Sequence, residues 1–118
     1  MERLFELGAL LDCYGAMLTA RQQSIMSQYA DENCSLSEIA EREGISRQGV
    51  RDTLHRGEQQ LRTLEDAIGL IQTRSEQQTI LHRMTRYVAS APIPDGERAA
   101  LNGYIASLLG TWEDEDGI

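Results

Sequence analysis

Lysine is absent. All eleven basic residues are arginine, they face nineteen acids, and the formal net charge is -8. That balance excludes generic binding of polyphosphate, which rests on cations displacing condensed counterions. Any grip on nucleic acid must therefore come from a local patch. Proline occurs twice, at 92 and 94, so the strongest helix breaker is missing from the long run before them. Aromatic residues make up only 5% of the 118 positions, against 41% hydrophobic residues in all. No apolar run approaches the roughly 20 residues that span a bilayer, and no membrane insertion is expected. Glu2, Glu6 and Asp12 interrupt the apolar pattern of the amino terminus, which does not suit a secretory signal. Cysteine is scarce too. Cys13 and Cys34 read as partly buried thiols of a cytoplasmic protein rather than a disulfide or a metal pair.

What is present is helical periodicity. Leu4, Leu7, Leu11, Tyr14 and Leu18 recur at steps of three and four, which predicts a helix over 2–18. Thr19 with Gln22 forms a capping box for a second helix running to about Tyr29, with Ile25, Met26 and Tyr29 inward. Ser35 with Glu38 repeats that signature, and Leu36, Ile39 and Ala40 supply a buried side up to Gly44, a residue suited to the left-handed conformation that ends a helix. Ile45 plugs the turn and Ser46 caps the next helix. Two short helices about a glycine turn are a helix-turn-helix, with Ala40 and Gly49 allowing close approach. Val50, Leu54, Gly57, Leu61, Leu64, Ile68 and Ile71 continue as a heptad seam, predicting one helix from Ser46 to Gln72, about 40 Å long. Gly57 and Gly69 weaken such a helix by roughly 1 kcal/mol each, so packing has to compensate. Past Ser75 the phase slips. Ile80, Leu81, Met84 and Val88 predict a helix to about Ser90, Pro92-Ile93-Pro94 a turn, and Asp95 or Gly96 the start of a last helix. Its apolar side would hold Leu101, Tyr104, Ile105, Leu108, Leu109 and Trp112, and Glu113 to Asp116 would form a solvated tail.

Residues 18–62 resemble the promoter-reading last domain of bacterial sigma factors, through Leu18-Thr19 and a glutamine-rich helix, Ser35-Leu36-x-Glu38-Ile39-Ala40, and Ser46-Arg47 with Val50. Residues 4–72 resemble the YlxM-like helix-turn-helix proteins more closely, through LFELGALLDCYGAMLTARQ and VRDTLHRGEQQLRTLE. Thr53 stands where sigma factors usually carry an aliphatic residue, and Leu54 takes the apolar role, as in the YlxM-like group. The expected fold is all-α: a sigma-region-four-like helix-turn-helix domain extended by a long helix and a C-terminal helical segment. The expected division is 1–72 for the helix-turn-helix with its long helix, and 73–118 for a helical appendage with an acidic tail. The resemblance also implies a bacterial regulator whose gene usually sits beside those of the signal recognition particle, and by that association an action in the particle's pathway.

If the motif docks on DNA, its second helix enters the major groove amino end first. With Val50 and Leu54 inward, the outward residues are Arg47, Gln48, Arg51, Asp52 and His55. Arginine suits the two acceptors of guanine and glutamine suits adenine. Ser46, Arg42 and Arg56 would hold phosphates, which position a protein without reading sequence. Against this, residues 35–65 hold five arginines and six acids, and Arg47, Arg51 and Glu58 on a wet helix side would partly neutralise one another. Catalysis is not expected. Gly44 and Gly49 have phosphate-loop spacing, but Val50-Arg51 stands where lysine and a hydroxyl are required, and His55 and His82 are isolated. No cofactor or metal is implied. Two readings stay open: a dimeric DNA-binding regulator pairing through Leu54, Leu61, Leu64, Ile68 and Ile71, or a protein- or ribonucleoprotein-interaction module that engages the signal recognition particle's protein or RNA without reading DNA. Pairing is expected because one small body can hardly bury so long a seam, unless residues 80–112 fold back over it.

Overall fold

A computed structural model of the chain describes residues 2–117, with side chains described over 3–111. Six α-helices and one 3-10 turn account for the described secondary structure: α1 (Glu2–Tyr14), the turn Gly15–Met17, α2 (Ala20–Ala30), α3 (Leu36–Glu43), α4 (Arg47–Ile68), α5 (Leu70–Ser90) and α6 (Asp95–Gly117). Trp112 and the acidic run Glu113 to Asp116 lie outside the described side chains. None of the helices is long and apolar enough to cross a membrane. By its contacts the chain divides into two units, residues 1–71 and 72–118.

In the first unit the caps set the helix boundaries. Thr19 and Ser35 each accept the backbone N–H three residues on, at 3.1 Å, while Gln22 and Glu38 reach back to the cap N–H. Both capping boxes therefore satisfy donors that a helix start otherwise leaves open. Gly44 ends α3 with φ 69°, and Ser46 caps α4 by accepting from Gly49 at 2.9 Å. The first helix stops at Tyr14 rather than running to Leu18, because the chain tightens into the 3-10 turn and Leu18 turns extended as its C-cap.

Two apolar clusters hold these helices. Leu7, Leu10, Leu11 and Tyr14 of α1 meet Leu18, Met26 of α2 and Leu61 of α4. Ile25 of α2, Ile39 and Ala40 of α3 and Val50 of α4 form the second, with Ile45 packed against it from the turn. Leu54 belongs to both. Gly57 is needed where α4 crosses α2: a Cβ there would overlap Met26 Sδ. Gly49 plays a different part from the expected close approach of α3 and α4. A Cβ on it would press on its own cap, 3.3 Å from Ser46 Oγ, and on Ile45.

The long helix is shorter than the heptad pattern predicts. Gly69 takes φ 68° and closes α4 at Ile68, donating its N–H to the Glu65 carbonyl, and α5 begins one residue later. A distant side chain makes the break tolerable. Tyr14 donates its hydroxyl proton to Glu65 Oε1 at 2.5 Å and accepts the Leu70 N–H at 3.2 Å, while the same Glu65 oxygen accepts the Ile71 N–H at 3.1 Å. The first donors of α5 are thus met by α1 and by the end of α4. Consequently α5 is one helix through Ser75, where the sequence phase slip suggested a gap.

The seam itself is largely covered within this unit. Val50 and Leu61 are fully buried, and Leu54, Leu64 and Ile71 pack against the α1–α2 cluster. Only Ile68 stands out, 57% exposed. The premise that one small body can hardly bury the seam is corrected: α1, α2 and α3 suffice, because α4 ends at Ile68.

In the second unit α5 and α6 are joined by residues 91–94. Leu81 and Val88 of α5 pack against Ile105 of α6, with Ile93 and Leu109 alongside. Arg98 closes the connection by donating to the Val88, Ala91 and Ile93 carbonyls, capping the end of α5. The apolar side expected for α6 is only partly used. Ile105 and Leu109 are turned inward, whereas Leu101, Tyr104 and Leu108 are exposed.

Candidate nucleic-acid interface

The amino-terminal half of α4 is held from behind and bare in front. Val50 and Leu54 anchor it to α3 and α2, and Ser46 fixes where it begins. A second set of polar contacts, dispersed in the sequence, fixes α3 against α2. Arg21 donates to the Glu43 carbonyl at 3.1 Å, and Gln28 and Ser24 both donate to the Glu43 carboxylate, at 2.9 and 3.1 Å. Gln28 is buried, so its hydrogen bond is made in a setting where losing it would be costly.

Arg47, Gln48, Arg51, Asp52 and His55 are all exposed and share the front of the helix. Glu58 is not the neutralising partner of Arg47 and Arg51. It pairs instead with Arg3 of α1 at 2.6 Å and with Arg62 one turn on at 2.9 Å, and Arg62 also reaches Glu6 at 3.2 Å. Those hydrogen bonds raise the Arg62 guanidinium above its ordinary range, the Glu58 bond first and the Glu6 bond second. Arg47 and Arg51 therefore keep their donors available among the described residues. Gln48 is partly committed, since its amide donates to Asp52 at 3.0 Å.

The phosphate candidates are spread more widely. Ser46 uses its oxygen as the cap of α4, which leaves its hydroxyl proton to donate outward. Arg42, at the end of α3, donates to Cys34 Sγ at 3.2 Å and lies 3.7 Å from Glu32, an exposed pair of little energetic consequence. Arg56 is separated from the reading row. It lines a cleft with Met17, Thr19 and Gln59, whereas Arg51 and His55 border a different cleft of about 340 Å³ floored by Leu7, Tyr29, Leu36 and Leu54. Arg3 stands on that second rim, a residue with no local sequence signal, because its neighbours come from a helix some fifty positions away. Among the described residues no cluster of three or more histidines, cysteines and acids is placed to hold a metal ion.

Residues 1–93 match the family described as "Putative helix-turn-helix protein, YlxM / p13 like". The chain belongs to this family. The match covers α1 to α5 and the turn after it, and α6 lies beyond it. Among curated relatives, a UPF0122 protein of Geobacillus kaustophilus is 35% identical over 101 residues, covering 86% of this chain and 92% of that protein. A UPF0122 protein of Latilactobacillus sakei is 35% identical over 107 residues, or 91% and 92% of the two chains. One from Acetivibrio thermocellus is 45% identical over 71 residues, where the alignment spans 60% of this chain and 61% of the relative's length.

Proposed function

We propose that this helix-turn-helix protein is a non-enzymatic, cytoplasmic regulator that binds duplex DNA, with the front of α4 in the major groove. The observation that carries this reading is the pair of exposed guanidiniums, Arg47 and Arg51, one turn apart on a capped helix packed on α2 and α3, with no carboxylate on either among the described residues. Each suits guanine O6 and N7, and Gln48 suits adenine once it releases Asp52. Ser46 and Arg42 hold phosphates at the start of the helix, and Arg56 serves a phosphate on the far flank. His55 follows Arg51 along the groove. Asp52 faces the same surface and disfavours phosphate nearby, so it sharpens orientation at some cost in affinity. The regulator acts as a homodimer.

Titrating a labelled random duplex by fluorescence anisotropy tests the reading. Binding is expected at low salt and should fall steeply as salt rises, since phosphate contacts release counterions. Arg47→Ala with Arg51→Ala should weaken it at least tenfold. Absence of binding at low salt would sink the proposal.

The Gln48–Asp52 bond and the acidic balance of residues 35–65 favour a second reading, a module for protein or ribonucleoprotein partners in the signal recognition particle's pathway. It expects the chain to co-purify with the particle's GTPase or RNA, that association to survive Arg47→Ala with Arg51→Ala, and no binding to the random duplex.

A further inference from the structure

Only three side chains of residues 72–111, Leu81, Val88 and Ile105, are buried apolar groups. Six large apolar residues within 72–111 remain exposed: Ile80, Met84, Tyr87, Leu101, Tyr104 and Leu108, at 39–69%. Their placement is not random. At about 100° per residue, Ile80, Met84 and Tyr87 lie about 90° to one side of the Leu81–Val88 line on α5. Leu101, Tyr104 and Leu108 lie about 90° in the same rotational sense from the Ile105–Leu109 line on α6. Leu81, Val88 and Ile105 cluster across the short link 91–94, so α5 and α6 fold back antiparallel, and equal offsets bring both stripes to one side of the pair. The opposite side carries Gln78, His82 and Ala89 of α5 with Ala99, Asn102 and Ala106 of α6. One side is apolar and the other small or polar.

We propose that this face of α5 and α6 pairs with the same face of a second copy of the chain, completing a four-helix bundle whose core each hairpin supplies by half. A two-fold axis makes any such face self-complementary, residue against residue. The six side chains expose on the order of 700 Å² per copy, which brings two copies into the range that stable interfaces bury. Charge selects the arrangement. Helix α5 carries three arginines against one acid, while the described part of α6 carries Asp95 and Glu97 against Arg98, so α5 of one copy belongs opposite α6 of the other. Such up-and-down packing around an apolar centre is the ordinary way two helical hairpins acquire a core. Exposed patches of this extent on a soluble unit mark contact surfaces.

This deepens the homodimer part of the proposed function and moves the pairing surface away from α4. Sedimentation equilibrium of the full chain over 1–200 µM tests it, with circular dichroism as the check on folding. The wild type is expected to show a species of twice the 13.2 kDa chain mass. Tyr87→Glu with Tyr104→Glu should shift its dissociation constant at least a hundredfold, and the gentler Ile80→Ala with Leu108→Ala at least tenfold. If the first variant loses helix content, the second decides. A dimer indifferent to both variants but lost in Ile68→Glu overturns this surface and returns pairing to α4. A monomer throughout overturns pairing altogether, and leaves the DNA reading to stand or fall on its own titration.

Discussion

Residues 1–71 and 72–118 carry apolar side chains at the same helical spacing, yet they dispose of them differently. In the first unit four helices converge, and Leu7, Ile25, Met26, Ile39, Val50 and Leu61 are shielded almost completely. In the second, two helices share three buried apolar residues and leave twice as many large ones in water. Apolar periodicity says which side of a helix wants cover. How many neighbouring helices are present decides whether it gets cover. Two helices can bury one line of contact but not a face.

The sharpest way to break this comparison is to truncate matched leucines. Leu61→Ala is expected to destabilise the chain by about 3 kcal/mol, since a fully buried leucine loses both transfer energy and packing. Leu101→Ala, at a dilution where the chain is monomeric, should cost less than about 1 kcal/mol. Urea denaturation measures both, and equal losses would mean that the second unit is better filled than it looks.

Glycines give a contrast of sign. Gly57→Ala drives a methyl into buried Met26 and should destabilise by about 1–2 kcal/mol despite alanine's better helix propensity. Gly103→Ala in α6 meets nothing within 4 Å and should stabilise by about 0.5–1 kcal/mol. A gain at both positions would show that α4 can shift away from α2.

Smaller still is the clasp at Gly69. Tyr14→Phe removes two hydrogen bonds that organise the break and is expected to cost about 1 kcal/mol near neutral pH. Burial first, and the Glu65 hydrogen bond second, push the Tyr14 phenol up from 10.0 to about 12. Because the folded value is the higher one, this group's stabilisation is complete below pH 10 and is lost as pH rises from about 10 to about 12. Thermal melts across that window should fall more steeply for the wild type than for the phenylalanine variant.

The smallest effect belongs to the second capping box. The Ser35 backbone N–H, followed by the Ser35 hydroxyl, holds the Glu38 carboxyl below the usual carboxylate range. Its contribution is therefore present above the ordinary glutamate value and disappears as pH falls through the lowered one. Glu38→Gln should leave neutral stability nearly unchanged and flatten the acid limb of the melting curve.

Much of the first unit was legible in the residues because its signals are short. Thr19 with Gln22, Ser35 with Glu38, the turn at Gly44 and the cap at Ser46 each act across three or four positions, within reach of a single helical turn. The exposed row of Arg47, Gln48, Arg51, Asp52 and His55 followed from the same periodicity once Val50 was taken as inward. Gly69 ends α4 where the heptad pattern predicts continuation, for the opposite reason. A glycine inside a heptad pattern and a glycine ending a helix look alike until Tyr14 and Glu65 supply partners for the freed donors. Arg56, expected to hold a phosphate, lies beside Met17 and Gln59 on a different cleft from Arg51 and His55, a separation that sequence nearness does not reveal.

By itself the amino-acid order determined where every helix but α5 starts, which side is apolar, and that the charge is arginine against a surplus of acid. Those are properties of backbone donors and side-chain spacing, set within a few residues. Tertiary structure alone decided that α1, α2 and α3 cover the seam of α4, that Glu58 is drawn to Arg3 of α1 and away from Arg47 and Arg51, and that the α5–α6 face is left open. Each of those outcomes depends on which surfaces meet across long sequence separations, and a one-dimensional pattern of apolar steps is compatible with several such meetings.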